Sequence, residues 1–224
     1  MKQLTLDMTL GEGPSFDTFI AGSNEGVLRQ WQQCLQAGPP LYVWGPSGSG
    51  KTHLLKSLVR QWRLNGREVA WFDVSTSLPW ELPSGTRLVA MDQCEQWDAA
   101  AQHAAFALFQ QATSSGVQVA AAGRMPPIDL PLREDLRTRL GWGLVSGLHP
   151  LDDAQLRAAL KLEAQRRGIV LSDEVLSYVL TRFSRELKSL TWLLDRMDRF
   201  ALELQRPVTV PLLKRMLEEE GLQS

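Results

Sequence analysis

The sequence predicts an α/β domain built on a parallel sheet, followed by a smaller domain made only of helices. Three observations predict it. Short, uniformly apolar runs recur between Leu41 and Ala121 with helix-length segments between them; a glycine-rich loop closes the first run and opens the first long helix; and after His149-Pro150 the strand-like runs give way to consecutive helical patterns.

Residues 1–14 read as a tail, short and mixed in character, closed by the turn chemistry of Gly11-Glu12-Gly13-Pro14. Folding is expected to begin near Phe16. The runs Leu41-Tyr42-Val43-Trp44, Val69 to Phe72, Leu88 to Met91 and Val117 to Ala121 suit parallel strands covered on both faces. His53 to Leu64 and Asp98 to Ala112 have helical length and spacing, so the unit is repeated β-α with right-handed crossovers, and a shorter helical stretch covers Leu132 to Leu140. The α/β domain is expected over residues 15–150 and the helical one over 151–224. In the latter, helices are expected at about 152–167, 172–182, 184–204 and 210–219. The third carries Leu187, Leu190, Leu194, Met197, Ala201 and Leu204 three or four apart, a stripe that buries one face.

Composition excludes several classes. The chain of 224 residues carries 24 Lys+Arg against 25 Asp+Glu, a formal charge of −1, which argues against a wholesale electrostatic binder of DNA or membranes. Apolar residues make up 44%, enough for a core, yet no apolar run approaches the roughly 18 residues of a membrane span. The start lacks a signal-peptide core, and Cys34 and Cys94 form neither a metal-like spacing nor a disulfide framework, so both read as buried thiols of a cytoplasmic protein. The eight tryptophans are scattered and nominate no base-stacking platform, and His53, His103 and His149 form no metal constellation.

The strongest chemical signal is Gly45-Pro46-Ser47-Gly48-Ser49-Gly50-Lys51-Thr52, which satisfies G-x-x-x-x-G-K-[ST] between a strand and a helix. Glycines let successive backbone N–H groups converge on one concavity, and the helix N-terminus adds its positive end to that anion site. Lys51 is expected to reach the β/γ-phosphates of ADP or ATP and Thr52 to ligate Mg²⁺. A second metal-organising group is expected at the end of another strand, where Asp92 follows Leu88 to Met91. The next position, where a carboxylate would activate water, is Gln93. An amide is a very poor proton acceptor, so the sequence predicts nucleotide binding with weak or no intrinsic hydrolysis, unless Glu95 substitutes.

Phosphate loop, acidic strand end and helical lid together resemble an AAA+ ATPase, and the finer spelling resembles the bacterial replication initiator DnaA. Phe16 to Asn24 is similar to the initiator's segment that folds over adenine, which implies base contacts near Phe19, Ile20 and Gly22. Gly50-Lys51-Thr52-His53-Leu54-Leu55 resembles its phosphate loop and following helix. Arg137-Thr138-Arg139-Leu140-Gly141-Trp142-Gly143 is similar to its arginine-finger region, and Ser184-Arg185-Glu186-Leu187 to the lid helix that carries a second sensor arginine, here Arg185.

An initiator would continue past the lid into a helix-turn-helix domain, whereas this sequence stops at Ser224, so origin binding is not expected. The remainder resembles the Hda-type inactivators of DnaA. That resemblance implies a negative regulator of chromosomal replication initiation: it docks on the DNA sliding clamp, reaches DNA only through the clamp, and triggers hydrolysis of DnaA-bound ATP. Gln3-Leu4-Thr5-Leu6-Asp7-Met8 resembles the family's clamp-binding peptide. In an extended chain Leu4, Leu6 and Met8 form one apolar row while Gln3 both donates and accepts hydrogen bonds. Asp7 departs from the apolar residue or proline usual there and weakens the expected affinity.

Arg139 has an ordinary account as well, because a cation before Gly141 suits a helix C-terminus. The resemblance assigns it instead to a finger that neutralises transition-state charge in a partner's site, with Arg137 left as a surface or interface charge. Arg185 follows Ser184, read as an N-cap, where a cation opposes the helix dipole unless a phosphate is near. At the first sensor position Gly123-Arg124 replaces the usual small polar or acidic residue. Homo-oligomerisation stays open. So do two rival readings: a helicase-loader-like, self-sufficient AAA+ ATPase, and an adaptor that tethers a partner to the clamp without contributing to catalysis.

Overall fold

A computed structural model describes residues 13–183 and 186–219. The chain divides into two compact units, the first running to His149 and the second opening at Pro150, with Ser47–Ser49 assigned to the second. In the first, strands β1 (Leu41–Trp44), β2 (Glu68–Phe72), β3 (Thr86–Met91), β4 (Gln118–Gly123) and β5 (Leu144–Gly147) form one all-parallel sheet in the order β2-β3-β4-β1-β5. Helices α1 (Glu25–Gln32), α2 (Lys51–Leu64), α3 (Ala99–Ser114) and α4 (Glu134–Leu140) accompany it.

Strand alternation divides the core in two. Tyr42, Val89, Met91, Val119 and Ala121 pack with Ala105, Leu108, Phe109 and Ala112 of α3 and with Leu136 and Leu140 of α4. Their neighbours Leu41, Val43, Leu88, Ala90, Ala120 and Ala122 pack on the other face with Trp31 of α1 and with Leu54, Leu55, Leu58 and Trp62 of α2. Successive side chains of a strand point to opposite faces, so a strand that must be dry on both sides reads as a continuous apolar run. The alanines of β4 leave room for the large rings of Tyr42, Phe109 and Trp62, as dense packing requires.

Four strands fall where the sequence predicts them, and β4 extends two residues further, to Gly123. Both β5 and α1 were absent from the sequence expectation. β5 is a four-residue edge strand whose Ser146 is buried and Val145 exposed, so it carries no apolar run; α1 has Trp31 as its only fully buried residue. At the start of β5 a Cβ on Gly143 would lie 1.8 Å from the Pro40 carbonyl oxygen, so only glycine admits this close approach. Asn24 then clamps the backbone just past β5: its Nδ2 donates to His149 O and its Oδ1 accepts from His149 N, both at 2.8 Å.

The second unit consists of α5 (Asp153–Arg166), α6 (Asp173–Arg182), α7 (Leu187–Leu204) and α8 (Val210–Glu219). α5 opens with a capping box in which Asp152 Oδ1 accepts from Gln155 N at 2.8 Å and Gln155 Oε1 accepts from Asp152 N at 3.1 Å. Its core joins Leu156 and Leu160 to Val175, Leu176, Val179 and Leu180, to Leu190, Leu193, Leu194 and Met197 of α7, and to Leu213 and Met216. The expected α7 stripe is thus buried from Leu190 to Ala201, with Leu193 added and Leu187 and Leu204 only half-buried. α7 begins at Leu187 with Glu186 at its N-cap, later than the expected residue 184.

Candidate functional site

In a parallel sheet the loops that leave the strand C-termini share one edge, and ligands of open α/β sheets bind there. Three expected features emerge from that edge: the glycine-rich loop after β1, Asp92 after β3, and Gly123-Arg124 at the end of β4. Gly45 and Ser49 are buried while Pro46, Ser47 and Gly48 are exposed, and Gly50 caps α2 at φ +96°. Lys51 Nζ donates to Pro46 O at 2.8 Å, so its ammonium lies across the loop it helps to form. Thr52 Oγ1 donates to Asp92 Oδ2 at 2.7 Å, which joins the two expected magnesium ligands directly.

Asp92 is 4% exposed, and burial raises its carboxyl above the usual range. The bonds from Thr52 and from Gln93 N, the latter to Oδ1 at 2.9 Å, oppose that shift, the nearby Glu95 adds to it and Lys51 counters it. Gln93 takes a left-handed backbone conformation at φ 57° as the chain turns sharply after β3. Two residues on, Glu95 Oε2 accepts from Arg124 N at 3.0 Å. The two positions that looked irregular in sequence therefore meet: the carboxylate considered as a substitute base is tied to the backbone at the end of β4.

Of the adenine-region residues, Phe19 is buried, Ile20 is half-buried, and Gly22 opens a 3-10 turn, Gly22–Asn24. Phe19 meets the ring of His53 edge-on, with centroids 5.5 Å apart. His53 Nε2 lies 3.0 Å from Ser15 O and 3.3 Å from Thr18 Oγ1, and burial lowers its pKa against the Ser15 carbonyl that raises it. This histidine fastens the segment before α1 to the first turn of α2, a role that residue type and position alone did not signal. A Cβ on Gly50 would stand 2.8 Å from Phe19 Cε2. Gly50→Ala is expected to cost about 2 kcal/mol from the left-handed backbone and the displaced ring, and to speed nucleotide dissociation. Thermal denaturation and a labelled-nucleotide chase check the two effects.

Arg139 lies in the last turn of α4, as expected, but its surroundings differ from those of a plain helix-terminal cation. Its guanidinium carbon is 4.9 Å from the ring centre of Phe106 and 4.8 Å from that of Trp142. Trp142 is 61% exposed, which sets it apart from the four buried tryptophans Trp31, Trp62, Trp80 and Trp97. Arg137 Nη1 donates to Ile128 O at 3.1 Å and serves the local backbone. Cys94 is fully buried, but Cys34, two residues past α1, is only half-buried, contrary to expectation, and its Sγ donates to Gln30 O at 3.2 Å. Gln3, Leu4, Leu6, Met8 and Arg185 lie outside the described residues. Among those residues no group of three or more metal-ligating side chains occurs, and no helix is long and apolar enough to cross a membrane.

The sheet order, the phosphate loop after β1, the acid after β3 and the following helical unit define the P-loop AAA+ fold: a five-stranded parallel α/β base and a C-terminal helical lid. Residues 152–217 match the family model described as Hda, lid domain. In fold the chain is similar to domain III of the Thermotoga maritima replication initiation protein DnaA, with 18% identity and a TM-score of 0.74 over 92% of this chain and 95% of that one. It is similar also to AMPPCP-bound DnaA from Aquifex aeolicus, with 18% identity and a TM-score of 0.67 over 86% of this chain and 68% of that one. The Thermotoga maritima RuvB Holliday junction branch migration motor aligns at 14% identity and a TM-score of 0.69, over 94% of this chain and 73% of that one. Identities this low speak to the fold, and the lid match speaks to residues 152–217. Those residues carry an Hda-type lid, behind a base with the fold of the DnaA and RuvB structures.

Proposed function

We propose that this protein is a cytoplasmic, replisome-associated negative regulator of replication initiation in bacteria, with a clamp-binding tail at 1–14, an AAA+ base at 15–150 and a lid at 151–224. It binds ADP or ATP with Mg²⁺, docks on the DNA sliding clamp through Gln3, Leu4, Leu6 and Met8, and offers Arg139 to the ATP site of the DnaA initiator. The Hda-type lid match behind a DnaA-like base carries this reading.

The donor set fits a magnesium nucleotide. Backbone N–H groups of residues 47–50 would donate to phosphate oxygens, Lys51 would supply a positive charge, and Thr52 with Asp92 would hold the metal. Phe19, Ile20 and Gly22 would flank the base, and Arg185 would add a second cation. Bound nucleotide supplies counter-charge that orders these groups, and it stabilises a competent arrangement only to the extent that it binds that arrangement more tightly. Turnover in this site is slow because Gln93 cannot accept a proton efficiently and Glu95 is held by Arg124 N–H.

In its partner's site the protein needs to do only one thing, which is to present a guanidinium where charge builds on the transferred phosphoryl group. The test is hydrolysis of DnaA-bound ATP, with and without DNA-loaded clamp, for the intact chain and for a variant with Gln3, Leu4, Leu6 and Met8 changed to Ala. Clamp-dependent stimulation should fall at least about tenfold in that variant, as expected when a tethered interaction loses its raised local concentration. Equal stimulation by both chains, or many turnovers per second by the isolated protein, would overturn the reading.

A further inference from the structure

Asp135 and Arg139 stand four residues apart on α4, acid N-terminal to base, the spacing and order that favour an ion pair across one helical turn. They do not pair. Asp135 Oδ2 lies 2.7 Å from Arg133 Nη2 instead. Arg139 rests between the rings of Phe106 and Trp142, and its Nε is buried with no acceptor among the described residues. All five side chains line one open groove of about 570 Å³.

An aromatic sandwich holds a guanidinium by its faces and leaves the N–H edge unsatisfied, whereas a carboxylate occupies that edge in the same forked geometry that a phosphate requires. Arg133 is well placed to prevent capture by the carboxylate. It is the N-cap residue of α4, its N–H donates to Gln102 Oε1 at 3.0 Å, and its guanidinium carbon lies 5.5 Å from the Phe106 ring centre. We propose that Arg133 is a positioning residue, a decoy cation that occupies Asp135 and so keeps the Nη end of the Arg139 guanidinium open for a phosphate on the partner. This inference rests on the finger role proposed for Arg139.

The test compares stimulated hydrolysis of DnaA-bound ATP by four chains: unchanged, Arg133→Ala, Arg133→Ala with Asp135→Asn, and Arg139→Ala. Arg133→Ala should lower the rate roughly two- to fivefold, the range over which a partly exposed helical ion pair competes with cation–π contacts. The double variant should recover the unchanged rate, a rescue that a purely structural role for Arg133 would not produce. Arg133→Gln keeps an aliphatic stem over Phe106 and replaces Arg133→Ala if the latter melts early. A full rate for Arg133→Ala beside an inactive Arg139→Ala overturns the decoy and leaves the finger intact. A double variant as slow as the single one also overturns it, since Arg133 then acts directly. A fully active Arg139→Ala overturns the finger, and the decoy with it.

Discussion

Replacing Arg139 with Ala should lower the stimulated hydrolysis of DnaA-bound ATP by about 10³-fold, the lower range for loss of an arginine finger, which corresponds to roughly 4 kcal/mol of transition-state stabilisation. The cost to folding is far smaller. Arg139 makes two aromatic contacts, each worth about 0.5–1 kcal/mol where partly exposed, and no ion pair among the described residues. A loss of about 1–2 kcal/mol from a domain stable by about 5–15 kcal/mol leaves it folded, so inactivity at an unchanged circular-dichroism spectrum assigns the defect to chemistry. Clamp binding, measured separately, should not change. Lysine at the same position keeps the charge but loses the planar fork, so Arg139→Lys should remain far below the unchanged protein. A rate within about twofold of the unchanged protein for Arg139→Ala would leave the adaptor reading standing, in which tethering alone suffices.

What could be read from the sequence followed from how strongly each element depends on its own residues. β1, β3 and β4 are buried on both faces, and only apolar runs satisfy that, so they were legible. β5 takes its place from Gly143 against Pro40 and from hydrogen bonds to β1, which no local pattern encodes. The phosphate loop was legible because its glycines, lysine and threonine are needed at fixed spacing, and Asp92 because it ends an apolar run. The links between elements were not. That Glu95 reaches Arg124 N, that His53 holds Ser15, and that Trp142 covers Arg139 all depend on side chains brought together by the sheet order. Arg139 could be singled out by resemblance, but its aromatic sandwich required the packing of α3 against α4.

Asp92→Asn should separate stability from ligand binding. Folding buries the Asp92 carboxyl and raises its pKa, so the folded state favours the neutral acid. The stabilising contribution of that protonated form is fully present below the ordinary carboxylate range and is lost as pH rises through the raised value, above which the ligand-free protein carries a buried charge. Asparagine removes the charge without leaving a bond unmade. Its Oδ1 accepts from Gln93 N as the carboxylate did, and its Nδ2 donates to Thr52 Oγ1 once that hydroxyl turns round. Once pH exceeds that raised value the ligand-free variant should therefore melt about 3 °C higher than the unchanged protein, a gain typical of relieving a functional charge, and this part of the pH dependence of its melting temperature should disappear. Magnesium-nucleotide affinity should move the other way, falling at least about tenfold because a neutral amide replaces the carboxylate beside Thr52. Melting curves from pH 4 to 8 with and without Mg-ADP read both effects in one experiment. Unchanged Mg-ADP stabilisation in the variant would remove Asp92 from the metal site, and a lower melting temperature without ligand would mean that the buried carboxylate stabilises the fold.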